Sequence, residues 1–465
     1  MPFPSVRLSP PAGRPGREVR RLERTLLCYA GSEDFVLLYP VYALLFAGHG
    51  LSTAEISVLF GVWSLTGVLL EVPSGVWADM VSRRLLLVAG PLLSAAGFGL
   101  WVTLPSFPAF AAGFVLWGAG GALRSGALEA LVYEELERHG AGSRYPRLMG
   151  RAGAAGTVCT VAATALAAPV FAAAGYAGLG AASVAACLLC AFAATRFPED
   201  RRAAADGARA GHAPVRAGRA PALADHPPAD RAPDLAGSAR GYLHTLRDGL
   251  AEVHGSPSVR NALLLAVAVT TVWGSLDEYI PLLAAEAGAT TAEVPLLALL
   301  VWAGVTAGGL LAGAAGRLSG RALGGWVAVA SGALAAGALW GVPGGFVALG
   351  PAFAVFQAAD VVTDARVQAA VTGPSRATVT SLGGVGTSLT TLLVYAAYGA
   401  ASGHASHATL FALSAVPYLV IGAVMARGRG PAAQGGAVRP GTGAATAAGP
   451  GLPGRDSGPV APSDV

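Results

Sequence analysis

Hydrophobic positions in this chain fall in long runs, not in short amphipathic periods, and a membrane-spanning helix needs about 20 mostly apolar residues. Against that length, twelve candidate spans lie near 25–48, 54–77, 85–104, 107–133, 148–173, 178–197, 258–283, 293–314, 322–341, 345–370, 377–400 and 407–426. The short gaps hold turn formers such as "LPSFP", "AGYAG" and "GVPGG". The pattern breaks once, between the sixth and seventh spans. There the chain is rich in Ala, Arg, Pro and Asp with no apolar period through about residue 238, which predicts a disordered linker. From Arg240 to Gly255, Tyr242, Leu243, Leu246, Leu250 and Val253 recur at helical spacing and predict a helix lying along the membrane surface.

The expected organisation is a basic N-terminal segment (1–24), a six-helix half (25–197), a polar linker (198–257), a second six-helix half (258–427) and a Gly/Ala/Pro-rich disordered tail (428–465). Composition agrees. The chain is 54% hydrophobic and 12% charged, with mean hydropathy +0.56, whereas a soluble domain carries about 25% charged residues. The class predicted is an all-α membrane protein, and the first span is expected to act as its own insertion signal.

The net charge of +4 is small; placement of the charges is what informs. All 31 basic residues are arginine. They precede the first span, then fill alternate loops: Arg83 and Arg84, Arg138 to Arg151, Arg196 to Arg260, Arg317 and Arg321, Arg366 and Arg376, and finally Arg427. The loops on the other side hold none. Under the positive-inside rule both termini and the linker are expected in the cytoplasm, with the protein multi-pass in the cell membrane. Only Arg124 sits well inside a span.

The halves echo each other. "GSED" ending at Asp34 matches "GSLD" ending at Asp277, and "STAEISVLFGVW" ending at Trp63 matches "TTAEVPLLALLVW" ending at Trp302. The gap from Asp to the following Thr is shorter in the second half, which should set Asp277 about 7 Å nearer the arginine-poor face than Asp34. Parallel repeats of this kind occur in carriers.

Between the second and third spans stand Gly75, Ala78, Asp79, Arg83, Arg84 and Leu87. These resemble the loop motif G-x-L-A-D-R-x-G-R-K/R-x-x-L of the major facilitator superfamily, with Trp77, Met80 and Ser82 departing from it. "GPSRATVTSL" from Gly373 resembles the start of the eleventh helix in drug-efflux branches, and "GAAGRLSGR" from Gly313 is a degraded copy of the loop motif. The antiporter signature of the fifth helix falls on Thr164, Ala168, Pro169, Ala172 and Ala173, with every glycine replaced; Arg124, Gly126 and Glu129 loosely resemble the arginine motif of the fourth. The resemblance implies a twelve-helix carrier of two pseudo-repeat halves. It also implies that Gly75, Asp79, Arg83 and Arg84, with Arg376, form a conformational latch in which Asp79 docks at the start of the eleventh helix.

Charged side chains inside a span cost about 2.5–3.5 kcal/mol each on insertion scales and are rarely idle. The proton or substrate candidates are Glu33, Asp34, Glu71, Arg124, Glu129, Asp277 and Glu278, with Asp360 and Asp364 on the tenth span. Adjacent helical positions point about 100° apart, so one of Glu33 and Asp34 is expected to face a central cavity, and the repeat favours Asp34. The structural alternative is a carboxylate paired with Arg124. Glu71, two residues before Pro73, is expected to be buried and either gates or packs. Tyr39, Tyr42, Trp63, Trp273, Tyr279 and Trp302 could line a cavity for apolar cations.

Cys28, Cys159, Cys187 and Cys190 lie in or beside apolar runs and read as packing residues, not metal ligands. The histidines lack metal spacing, and no Walker A sequence is present, so no catalytic centre, metal, cofactor or ATP-driven step is expected. The expected partners are a small-molecule substrate, coupling protons and the lipid bilayer, with no nucleic acid, and a monomer as the working unit. Efflux of a small lipophilic compound against protons is the first expectation, uptake of a sugar or metabolite the second, and a non-transporting sensor or scaffold the third.

Overall fold

Inside hydrocarbon no water is available to backbone N–H and C=O groups, so apolar runs must satisfy them within helices. The computed structural model of the chain describes residues 16–198, 253–371 and 376–427, with backbone alone at Val72, Gly75, Val76, Ala78, Asp79, Met80, Arg376, Ala377 and Thr378. Every described regular element is a helix. Nine of them are long and apolar enough to span a membrane on length and composition alone. The linker's expected surface helix, save for residues 253–255, and the tail lie outside the described residues.

The first half comprises α1 (Arg17–Glu33), α2 (Tyr42–Gly48), α3 (Thr53–Met80), α4 (Arg83–Thr103), α5 (Phe107–Arg124), α6 (Ala127–Arg138) and α7 (Tyr145–Ala194). The second comprises α8 (Pro257–Asp277), α9 (Ile280–Glu286), α10 (Val294–Ala315), α11 (Gly320–Leu339), α12 (Phe346–Ala370), α13 (Arg376–Ala401), α14 (His407–Leu413) and α15 (Ala415–Arg427). α7 carries the fifth and sixth spans and reverses at Gly175 (φ 58°, ψ −156°), a conformation closed to residues with a Cβ.

Four expected spans are broken, and the breaks have local causes. The first span starts inside the basic segment at Arg17, stops at Glu33, and resumes through a 3-10 turn at Tyr39–Val41. Pro40 has no N–H to donate to Val36, and its ring crowds that carbonyl. The seventh stops at Asp277, and Pro281 stands in the same relation to the Asp277 carbonyl. The fourth breaks at Gly126, whose φ is +72°, and the twelfth between Leu413 and Ala415. The repeat in the sequence is thus a repeat of breaks.

It is also a repeat of caps. The Glu55 carboxylate accepts from the Ser52 N–H and hydroxyl, both at 2.8 Å. Glu293 accepts from the Thr290 N–H and hydroxyl, also at 2.8 Å. At Ser52 the bonding is reciprocal, a capping box on the start of α3; at Thr290 it runs one way, in the turn that leads into α10. The Thr290 backbone N–H, then its hydroxyl, hold the Glu293 carboxyl below its ordinary range.

Within the halves, small residues let backbones close on each other, the usual adhesive between helices in lipid. A Cβ on Gly90 or Gly97 of α4 would come within 2.8 Å of the Gly120 or Gly113 carbonyl of α5. Gly304 and Gly308 of α10 abut Gly350 and Ala354 of α12 just as closely. The outer surface carries large apolar side chains, Leu310 at 83% exposed and Leu393 at 68% among them, as a lipid-facing surface requires. The halves meet through α3 with α13, α7 with α10, and α2 with α9.

Candidate functional site

The helix breaks build the site. Because α1 ends at Glu33 and Asp34 is its C-cap, the two carboxylates sit at a helix end instead of on its flank. Both line the central cavity, where the helical spacing had left room for one. The cavity measures ≈ 590 Å³ and lies between the halves.

Its first wall is one face of α3, Trp63, Ser64, Gly67, Val68 and Glu71, joined by Trp117, Gly121 and Ser125 near the end of α5 and by Thr160 of α7. Among the described residues, the second half contributes Trp302, Ser388, Thr391 and Tyr395. Trp63 and Trp302, equivalent in the repeat, therefore face each other's half. Trp63 stacks on Trp117 with ring centroids 5.1 Å apart, and Tyr39 meets Trp117 edge-on at 6.2 Å.

The Glu33 carboxylate pairs with Nε of Arg124. Glu33 thus takes the structural alternative, a carboxylate paired with Arg124. Asp34 lies outside that pair; its carboxylate rests against Gly156 of α7, where any Cβ would collide with it. The Thr160 hydroxyl donates to the Asp34 carbonyl at 3.4 Å.

A second layer lies at the arginine-poor end. The Tyr39 hydroxyl stands 3.2 Å from Asp277 Oδ2 and 3.4 Å from Glu278 Oε1, and the Tyr42 hydroxyl donates to Glu278 Oε2. Ser57 and Tyr279 share a hydrogen bond of 2.8 Å. Tyr279 stacks on Tyr398 at 3.7 Å, and the Tyr398 hydroxyl bonds Nδ1 of His407 at 2.9 Å. These contacts tie α2 and α3 to the α8–α9 break and to α13 and α14. Asp277 lies in this layer beside Tyr39 and is absent from the lining that holds Asp34.

The remaining expectations divide. Glu71 is exposed at the mouth of the cavity and not buried: its helix face is the cavity wall, and among the described residues no facing element covers it. Glu129 is exposed and absent from the lining, because the Gly126 break turns α6 away from α5. Arg83 pairs with Glu134 of α6 inside its own half, and Arg84 reaches the Phe197 carbonyl at 3.5 Å. Gly75, Asp79 and Arg376 fall outside the residues whose side chains are described, and residues 373–375, the expected start of the eleventh helix, lie outside the described residues. Asp360 accepts from Thr270, and Asp364 is exposed. Tyr42 and Tyr279 are buried behind the cavity, and Trp273 packs on Phe353. Cys187 and Cys190 are buried, the latter against the Tyr29 carbonyl.

Sequence reading missed Trp117, Tyr395, Ser388 and Thr391. The signal for the last three was available: "SLTTLLVY" places hydroxyls and a tyrosine at 388, 391 and 395, one helical face of an otherwise apolar span.

A profile of the Major Facilitator Superfamily matches residues 27–359. The fold is similar to that of a mutant of the nucleoside transporter NupG, with TM-score 0.67 at 12% identity over 87% of this chain and 98% of that one. It is also similar to the D-xylose-proton symporter, with TM-score 0.60 at 14% identity over 88% and 96%. A third likeness, at TM-score 0.58 and 15% identity over the same shares, is to an auto-inhibited POT family peptide transporter. No curated protein sequence matches the chain.

Proposed function

The chain belongs to the Major Facilitator Superfamily, and from that premise we propose that this multi-pass secondary transporter exports small lipophilic cations in exchange for protons. The observation that carries the reading is the make-up of the cavity. Trp63, Trp117, Trp302, Tyr39 and Tyr395 offer aromatic faces, while Asp34 and Glu71 stand outside the Glu33–Arg124 pair. Aromatic faces attract cations by about 0.5–2 kcal/mol each. A carboxylate that holds either a proton or a cation, but not both, couples the two flows in opposite directions. Asp34 is assigned the exchange, and Glu33–Arg124 holds the wall in place.

The arginine distribution supports a cell-membrane protein with both termini and the linker (198–257) in the cytoplasm. In that orientation the carboxylate–tyrosine layer of Asp277 and Glu278 is the outer closure, and the mouth at Glu71 faces inward. Uptake of a hydroxylated solute is the second reading, favoured by the hydroxyls of Ser64, Thr160, Ser388 and Thr391 on the cavity wall.

Proteoliposomes loaded with a pH dye distinguish them. Export by exchange predicts that lipophilic cations drive protons opposite to their own movement, and that Asp34→Asn abolishes this. Protons moving with a sugar or nucleoside would establish symport instead. Absence of coupled flux across a broad panel would reject both.

A further inference from the structure

Asp277 and Glu278 of the second half meet the first half at a single hydroxyl. Tyr39 Oη stands 3.2 Å from Asp277 Oδ2 and 3.4 Å from Glu278 Oε1, and the Tyr42 hydroxyl serves Glu278 Oε2. A phenol carries one hydrogen, so Tyr39 donates to only one of the two carboxyl groups at a time. An ionised carboxylate only accepts. With both ionised, one of these contacts would set oxygen lone pairs against each other and leave two negative charges on neighbouring residues. One added proton removes both faults. The protonated carboxyl donates to Tyr39 Oη, whose own hydrogen goes to the other carboxylate.

No cation stands in for that proton. Among the described residues, the polar groups facing the pair are Tyr39 and Tyr42 of the first half, Thr164 of α7, Trp302 of α10, Tyr395 of α13 and the adjoining Tyr279. None of them carries positive charge. Arg124 is held by Glu33, and His407 is bonded to Tyr398 and Thr53. The void beside the pair measures ≈ 20 Å³, room for about one water and too small for a hydrated ion.

We propose that closure of the arginine-poor end binds one proton, held in common by Asp277, Tyr39 and Glu278, and that opening releases it. The site is assembled by closure itself, because the tyrosines come from one half and the carboxyl groups from the other. Separating the halves leaves each carboxylate to water, which solvates both as ions. Proton binding and closure therefore favour each other. The closed form holds one proton more than the open form. A fall in pH thus favours closure and a rise favours opening, by up to about ten-fold in the ratio of the two per pH unit. The linkage depends neither on the solute carried nor on the part assigned to Asp34.

The test measures the distance between spin labels at Ala47→Cys of α2 and Ala285→Cys of α9, both exposed and on helices that meet across the halves. The full chain is reconstituted in nanodiscs with Cys28 and Cys159 replaced by alanine; Cys187 and Cys190 are buried and should not label. As pH rises from about 5 to about 9, a short distance is expected to give way to a longer one. Asp277→Asn and Glu278→Gln each supply an N–H donor for Tyr39 and remove one charge, so either should hold the short distance across the range. One of the two that folds suffices. Glu293→Gln, which alters an exposed carboxylate at the same end, should keep the parental response. A parental distance that ignores pH overturns the proposal, as does a parental pH response in the amide variants. Closure that follows sodium at constant pH, with choline as the replacement, overturns the proton as the ligand.

Discussion

The Glu33 carboxylate closes on Nε of Arg124 from the last residue of α1 to the last residue of α5, so a single ion pair joins two helix ends across the cavity wall. Each charge compensates the other where water is scarce. Removing one partner should cost about 1–3 kcal/mol, between an exposed pair and a buried one. Arg124→Gln and Glu33→Gln are each expected to lower Tm by several degrees, and the double variant to regain part of the loss. A thermal-melt double-mutant cycle measures the coupling.

Gly156 should be as sensitive as Asp34 itself. A methyl group at that position would occupy the space of the Asp34 carboxylate. Gly156→Ala is therefore expected to reproduce the coupling defect of Asp34→Asn in the proton-flux assay, while folding as the parent does.

Tyr42→Phe removes a donor from Glu278, which is 6% exposed. A buried acceptor left short of a partner costs about 1–3 kcal/mol, and that cost falls only on the state closed at this end. The populations should shift toward opening at the arginine-poor face. Labelling of Ala298→Cys, beside Asp277 and Glu278, by a membrane-impermeant maleimide should become several-fold faster.

Glu286 accepts the His407 and Ala408 N–H groups at 2.7 and 2.8 Å, capping α14 from another helix. Glu286→Gln should lower stability by about 1 kcal/mol, the ordinary worth of a cap, with proton coupling unchanged. Denaturation of the purified protein reads the first and the flux assay the second.

Trp63→Ala and Trp117→Ala each remove an aromatic face from the cavity. Affinity for a lipophilic cation should fall about 2- to 30-fold per residue, and affinity for a neutral compound of the same size by less. Fluorescence binding titrations compare the two.

Periodicity carried most of the fold. Apolar runs located most of the described helices to within a few residues, because hydrocarbon admits almost no other backbone form, though α1 begins inside the basic segment at Arg17 and four spans are broken. The breaks were harder to see. Pro40 and Pro281 stood in plain view, yet their effect on Glu33, Asp34, Asp277 and Glu278 came from ending the helix ahead of them, which moved side chains that helical geometry alone would have set apart. The partner of Arg124 was open for a related reason: an ion pair between helices depends on packing that one span's spacing does not record. Trp117 was missed because a tryptophan in an apolar run reads the same whether it faces lipid, core or cavity. Arg83, expected in a latch between halves, is bonded to Glu134 of its own half.

Every carboxyl and guanidinium group described on the cavity wall belongs to the first half; Trp302, Ser388, Thr391 and Tyr395 carry neither. In electrical terms, that half is the charged armature and the other an uncharged shell. Under the proposed exchange, with Glu33 and Arg124 cancelling, a bound proton or cation offsets the charge of Asp34, and a carrier holding neither would have to move that charge through the membrane field. At about 2.3 kcal/mol per charge per 100 mV, that term would set the empty movement apart from both loaded strokes and help keep the two flows coupled.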